Sequence, residues 1–238
     1  RQTVNSIVTR TARPDYMIPP KPLSRKEILS DKWRLTKEYY AGERYNTPSP
    51  LMKIKIVRNA RTLIEQWENF ANSYEVLNKL GHKFKILYPL QMQPEANIDV
   101  WGNKHNDQTL IIQQLIGLLG EDEILIVKPN PKSKYEITSQ ILTLADTHKG
   151  KVVLLKHSIA MEAILPHTDF IVTVTGTISL EAFFSGIPFA TLGDSMLKYC
   201  FPTLENTVDS LADVRKVISA TKLRGFTVDE TKKERFLT

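Results

Sequence analysis

Cysteine is almost absent: Cys200 is the single one in 238 residues. No internal disulfide can form, and the chain suits a reducing compartment, with Cys200 read first as a small buried apolar residue. No run of about 18 apolar residues occurs, so no spanning helix is expected, and no secretory signal opens the chain. Neither the G-x-G-x-x-G dinucleotide fingerprint nor a P-loop is present. A G-x-S-x-G nucleophile elbow is missing, and no His, Cys, Asp and Glu group has zinc spacing. No metal and no separate cofactor are therefore expected. Internal repeats and low-complexity tracts are lacking too. The chain opens on Arg1 rather than Met, which reads as a segment of a longer protein.

What is present is an ordinary globular composition, 42% hydrophobic and 24% charged. The length suits one large domain or two small ones. Net charge is +6 with a pI near 9.2, but the cations are dispersed. None forms the dense single-face block of a nucleic-acid arm, so no nucleic-acid partner is expected. A phosphate-bearing small molecule and an anionic membrane surface explain the balance equally well.

Two textures divide the chain. Residues 1–82 read as helices interrupted by proline-rich connections. Ser24 with Glu27 three residues on has capping-box spacing before "EILSDKWRLTKEYY". A longer helical stretch runs from Met52 to Leu80 and stops at Gly81. From residue 83 to 238 the rhythm becomes strand, helix, strand: "FKILYPL", "EILIVKPNP", "KVVLLKH", "DFIVTVTG" and "PFATLG" alternate with helical segments. Short runs rich in Val, Ile and Leu are strands covered on both faces. The expected fold is α/β, a doubly wound parallel Rossmann-like sheet preceded by a helical segment.

Ligands of open parallel sheets bind beyond the carboxyl ends of the strands. Those ends are consistently polar: Gln91, Gln93 and Glu95; Lys128, Asn130 and Lys132; His157 and Ser158; Gly176, Thr177 and Ser179; Gly193, Asp194 and Ser195. In "VTVTGTISLEA" the amides of Thr177 to Ser179 would open a helix beside Gly176, an anion site suited to a nucleotide phosphate. Glu181, one turn on, would accept from ribose hydroxyls. The alternative makes Thr177 an N-cap and Glu181 a first-turn acid favoured by the helix dipole. Lys128 reads as a solvated strand-end lysine or a phosphate partner, and His157 as an exposed histidine or a contact to base or phosphate. Asp107 reads as a capping aspartate or a site acid. His148 and His167 look like surface loop residues.

The runs "YPLQMQPEA", the spaced "DQ", "ILIVKPNP" and "VTVTGTISLEAFFSGIPFATLG" together resemble the bacterial capsule and surface polysaccharide biosynthesis family, over about residues 84–195. That family includes glycosyltransferases taking Kdo or related acidic sugars from CMP-activated donors. The resemblance implies the carboxyl-terminal, nucleotide-holding half of a GT-B enzyme, with the acceptor half outside this chain or replaced by the helical segment. Carried over by position, Gln93, Pro94 and Glu95 match Q-P-E, and Asp107 and Gln108 match D-Q. Lys128 and Pro131 fall on V-K-E-H-P, where this chain has Pro129 and Asn130 for Glu-His. Asn130 can donate a hydrogen bond but cannot titrate. Gly176, Thr177 and Glu181 match T-G-T-x-x-x-E. The implied activity is transfer of a sugar from a nucleotide-activated donor, with Glu95 and Asp107 as the acid–base carboxylates. The implied partners are that donor and a polysaccharide or glycolipid acceptor, in the cytoplasm or at the inner membrane face. A nucleotide-sugar epimerase or hydrolase, or a noncatalytic scaffold, would share the architecture.

Overall fold

In the computed structural model, residues 24–42, 49–93, 97–130, 136–193, 197, 206–226 and 231 are described. Helix α1 spans Arg25–Tyr40. Its Ser24 cap accepts from the Glu27 amide while the Glu27 carboxylate accepts from the Ser24 amide, the reciprocal box expected from the sequence. Helix α2 spans Pro50–Phe70, with Ser49 as cap and proline at its start. It does not continue to Leu80. Asn72 leaves the helix because its backbone bonds to β3 instead, donating to Leu154 O and accepting from Lys156 N. A short α3, Val76–Lys79, follows, and Gly81 turns left-handed at φ +60°.

The sheet is built from β1 (Phe84–Pro89), β2 (Glu123–Lys128), β3 (Val152–Leu154), β4 (Phe170–Thr173) and β5 (Phe189–Thr191). All ladders are parallel, in the order β3-β2-β1-β4-β5. Between strands lie α4 (Gln108–Leu118), α5 (Ser139–Thr147), α6 (Met161–Ile164) and α7 (Ile178–Ser185), with α8 (Leu211–Arg224) last. A single π-helical turn, Asn97–Trp101, and a 3-10 turn, Asn103–His105, precede α4.

Alternate side chains leave a strand on opposite faces, and here each face has its own core. Ile86, Tyr88, Leu125, Val127 and Val172 meet α4, α5, α8 and Trp67 of α2 on one side. Leu87, Ile124, Ile126 and Ile171 meet Ile164, Ala182 and Phe183 on the other. The sheet is doubly wound, as the sequence predicts. The helical segment does not stand apart, because Trp67 is fully buried and its indole N–H donates to Leu155 O at 2.9 Å. Isolated bridges from outside the sheet meet its two borders, Asn72 on Leu155 just past β3 and Thr207 on Thr191 of β5.

Candidate functional site

The strand order reverses direction between β1 and β4, whose connections leave toward opposite edges of the sheet. Such a switch point opens a crevice beyond the carboxyl ends of the two strands. The segment after β1 and the "TGT" segment after β4 meet here.

After β1, the chain is fixed by Gln108, the first residue of α4 and only 3% exposed. Its side chain accepts from the Gln91 amide at 2.7 Å and donates to Gln91 O at 2.8 Å and Gln93 Oε1 at 2.9 Å. Gln93 then donates to Asp99 Oδ1 at 2.9 Å and Asn106 O at 3.0 Å. A chain of amides thus ties Gln91 and Gln93 to the start of α4 and to the turns before it. Across the switch point, Gln91 Oε1 accepts from the Thr175 amide at 3.5 Å. Gly176 lets the two segments approach closely: a Cβ would stand 2.7 Å from Thr173 Oγ1 and 2.9 Å from Gln91 Nε2, so both side chains would have to shift.

The predicted residues are distributed unevenly around this frame. Thr177 is the exposed first residue ahead of α7 and makes no side-chain cap. Ser179 is buried, and both its amide and its hydroxyl are turned onto Gly176 O, at 3.1 and 2.8 Å. It has no donor left for a ligand, so any anion contact at this tip falls to the residues before it. Glu181 is half-buried in the first turn of α7. Asp107 caps α4, accepting from the Leu110 amide at 3.0 Å. Asn130 is half-buried and Ser158 exposed. Glu95, Pro94, Pro131, Lys132, Asp194, Ser195 and Cys200 lie outside the described residues. His148 and His167 are half-buried at helix ends rather than in open loops.

Lys128 is not a solvated strand-end lysine. It is 1% exposed, and its ammonium donates to Pro129 O at 2.6 Å and His157 O at 2.9 Å. Burial disfavours its charge and pulls the pKa down to about 8, against a smaller opposing pull from Glu68. His157, at the end of β3, is held by Glu68 of α2, whose carboxylate accepts from the His157 amide at 2.7 Å and from ring Nδ1. Burial works to raise the Glu68 carboxyl, but the ring and amide of His157, with Lys156, hold it below the ordinary carboxylate range. Glu68 carries no signal in the sequence. It is one charged residue on an amphipathic helix, 89 positions from its partner.

Among the described residues no cluster of three His, Cys, Asp or Glu could hold a metal ion, and no helix is long and apolar enough to cross a membrane.

A doubly wound parallel sheet with a polar switch-point crevice defines a class of α/β folds whose sites lie beyond the strand ends. Within it, the chain belongs to the capsule polysaccharide biosynthesis protein family, whose model matches residues 33–216. No curated protein sequence matches. Among solved structures, the S. aureus MnaA–UDP complex is 15% identical over 67% of this chain and 40% of its own, at a TM-score of 0.42. A UDP-N-acetylglucosamine 2-epimerase structure from Listeria monocytogenes, its function assigned provisionally, is 14% identical over 72% and 45%, at 0.44. KpsC of Thermosulfurimonas dismutans, a beta Kdo 2,4 transferase, is 14% identical over 56% and 46%, at 0.38. The chain spans less than half the length of each.

Proposed function

We propose that this chain is the nucleotide-sugar-binding part of a glycosyltransferase that builds capsular or other surface polysaccharide. The observation that carries the reading is the meeting of the Gln91–Gln93 segment with Thr175 and Gly176 at the β1/β4 switch point, in a chain of the capsule biosynthesis family. A nucleotide-activated donor is the substrate, and a CMP-linked acidic sugar such as Kdo is the first choice. Its phosphate rests against the backbone at Thr177, because the Gly176 amide is donated to Thr173 Oγ1 at 3.2 Å, and Glu181 meets the ribose. Cleaving the bond to the sugar develops negative charge on the leaving phosphate and positive charge on the sugar ring. Helix-end amides suit the first, and the carboxylate of Glu95 in the neighbouring loop suits the second. Residues 83–238 form the donor domain, and 1–82 a helical lead-in. A polysaccharide or glycolipid accepts the sugar at the cytoplasmic side of the inner membrane, with an acceptor-binding half or partner subunit completing the site.

Calorimetric titration with CMP, CDP, UDP and GDP at low salt tests the reading. Binding of one nucleotide at a dissociation constant well below millimolar is expected. If none binds in that range, the donor role is lost.

A further inference from the structure

His157 is a half-open residue at a strand end, yet three charged or polar bonds fix it. Glu68, reaching from α2, takes both its amide and its ring Nδ1. Lys128, reaching from the end of β2, donates to its carbonyl at 2.9 Å. Backbone and ring are thus clamped by two oppositely charged side chains from two different elements. The Lys128 ammonium is nearly inaccessible to water. A surface histidine that only filled space would not need this.

The chemistry of the clamp sets the ring's character. A carboxylate can only accept, so the Nδ1 facing Glu68 must carry the proton. In the neutral ring, Nε2 then presents a lone pair on the side away from the carboxylate. Nε2 has no hydrogen-bond partner among the described residues, and the side chain keeps 29% of its surface open. In that neutral form the ring offers an oriented acceptor to an N–H or O–H donor.

Position narrows what that donor is. Strands lie about 4.8 Å apart, so the end of β3 stands two to three spacings from the β1/β4 crevice, about 10–14 Å away. A nucleotide whose phosphate rests at the α7 end reaches β3 with the far end of its nucleoside, not with phosphate. We propose that His157 is a specificity-determining residue for the nucleobase, accepting through Nε2 from an exocyclic amine such as cytosine N4, with Glu68 as the positioning residue that fixes the ring. Cytosine presents an amine donor on that edge, whereas uracil places a carbonyl acceptor at the same position. Two acceptors would face each other, and uridine nucleotides are disfavoured. The inference rests on the donor reading above, in which a CMP-linked sugar is already the first choice, and adds which residue reads the base.

The test uses CMP and UMP titrated calorimetrically into the wild-type chain and into His157→Asn and Glu68→Gln. Asparagine can keep a donor close to where Nδ1 sits, so it preserves the bond to Glu68 while removing Nε2. Thermal melting checks that the fold survives. Wild type should prefer CMP, and His157→Asn should weaken CMP by about three- to tenfold, the worth of one hydrogen bond, with little change for UMP. Glu68→Gln keeps an acceptor but also offers an amide donor, so it should erode the preference less. Imidazole ¹⁵N spectra of the wild type should show Nδ1 protonated and Nε2 shifting when CMP is added. If CMP binds His157→Asn as tightly as wild type, or Nε2 carries the proton in the free protein, the base-reading role fails and the donor reading stands. If neither nucleotide binds wild type, the donor reading falls and takes this inference with it.

Discussion

The two ends of β2 carry opposite charges buried to the same degree: Glu123 at the start and Lys128 at the finish are each 1% exposed. Their surroundings differ. Glu123 accepts from the Gly120 amide at 2.8 Å, from Arg215 and from Lys222 Nζ at 3.2 Å. Burial pushes its carboxyl up, but that amide and the two cations outweigh it and hold it below the ordinary range. Among the described residues Lys128 bonds to two carbonyl oxygens and to no carboxylate, with Glu68 acting on it only at a distance. One end of the strand is neutralised within the protein. The other, on the edge where ligands of such sheets sit, is left short of negative charge. The acid at the amino end is matched by cations, whereas the lysine at the carboxyl end is buried against carbonyl oxygens alone.

Removing the acid at the neutralised end should have the largest effect. Glu123→Ala leaves Arg215 and Lys222 facing each other without their shared partner and opens a hole at the head of β2. Loss of a buried pair member typically costs about 3–5 kcal/mol. Both cations retain access to water, so a loss near the lower bound is expected in urea unfolding. An unchanged midpoint would show that the two ends of β2 do not differ in the way described.

The lysine end should respond to pH instead. Its native pKa of about 8 lies below the ordinary lysine value of 10.5. Below pH 8 the group is protonated in both native and unfolded chains, and the burial penalty is present in full. Between 8 and 10.5 the unfolded chain holds more protons, so stability contributed by this group rises with pH. Relative to Lys128→Met, wild type should gain on the order of 3 kcal/mol across that window. Parallel stability profiles of the two proteins from pH 7 to 11 would remove the claim that the ammonium is strained.

The smallest effect is expected one strand over. The Tyr88 hydroxyl is fully buried on β1 with no partner among the described residues. Burial, with Asp107 nearby, raises its pKa far above the ordinary value. Tyr88→Phe removes an unsatisfied group without changing the ring, so stability should stay level or rise by up to about 1 kcal/mol. A loss of more than that in thermal melting would reveal a bond that these contacts do not include.

How much of this was readable beforehand depended on the range of the interaction. Strands and helices after Phe84 follow from local apolar runs and their punctuation, and the sheet matches the expectation strand for strand. Helix α2 was read too long because its periodicity continues past Phe70, whereas the backbone of Asn72 is recruited by β3, a partner 83 residues away by number (Leu155). For Lys128 the sequence left a solvated lysine and a phosphate partner both open, since nothing beside it reveals that two carbonyls will enclose its ammonium. Gln108, matched only as half of a "DQ" pair, turned out to organise the loop after β1. Glu68 was invisible for the same reason as Asn72: its role exists only once α2 is folded against the end of β3.

The single-residue bridges at Asn72 and Thr207 have a consequence for how the molecule behaves among its own copies. Each occupies backbone groups on an outermost strand, where an unpaired row would otherwise template a neighbour's strand. With both borders stopped by irregular backbone, the five-stranded ribbon cannot lengthen by lateral recruitment at those residues.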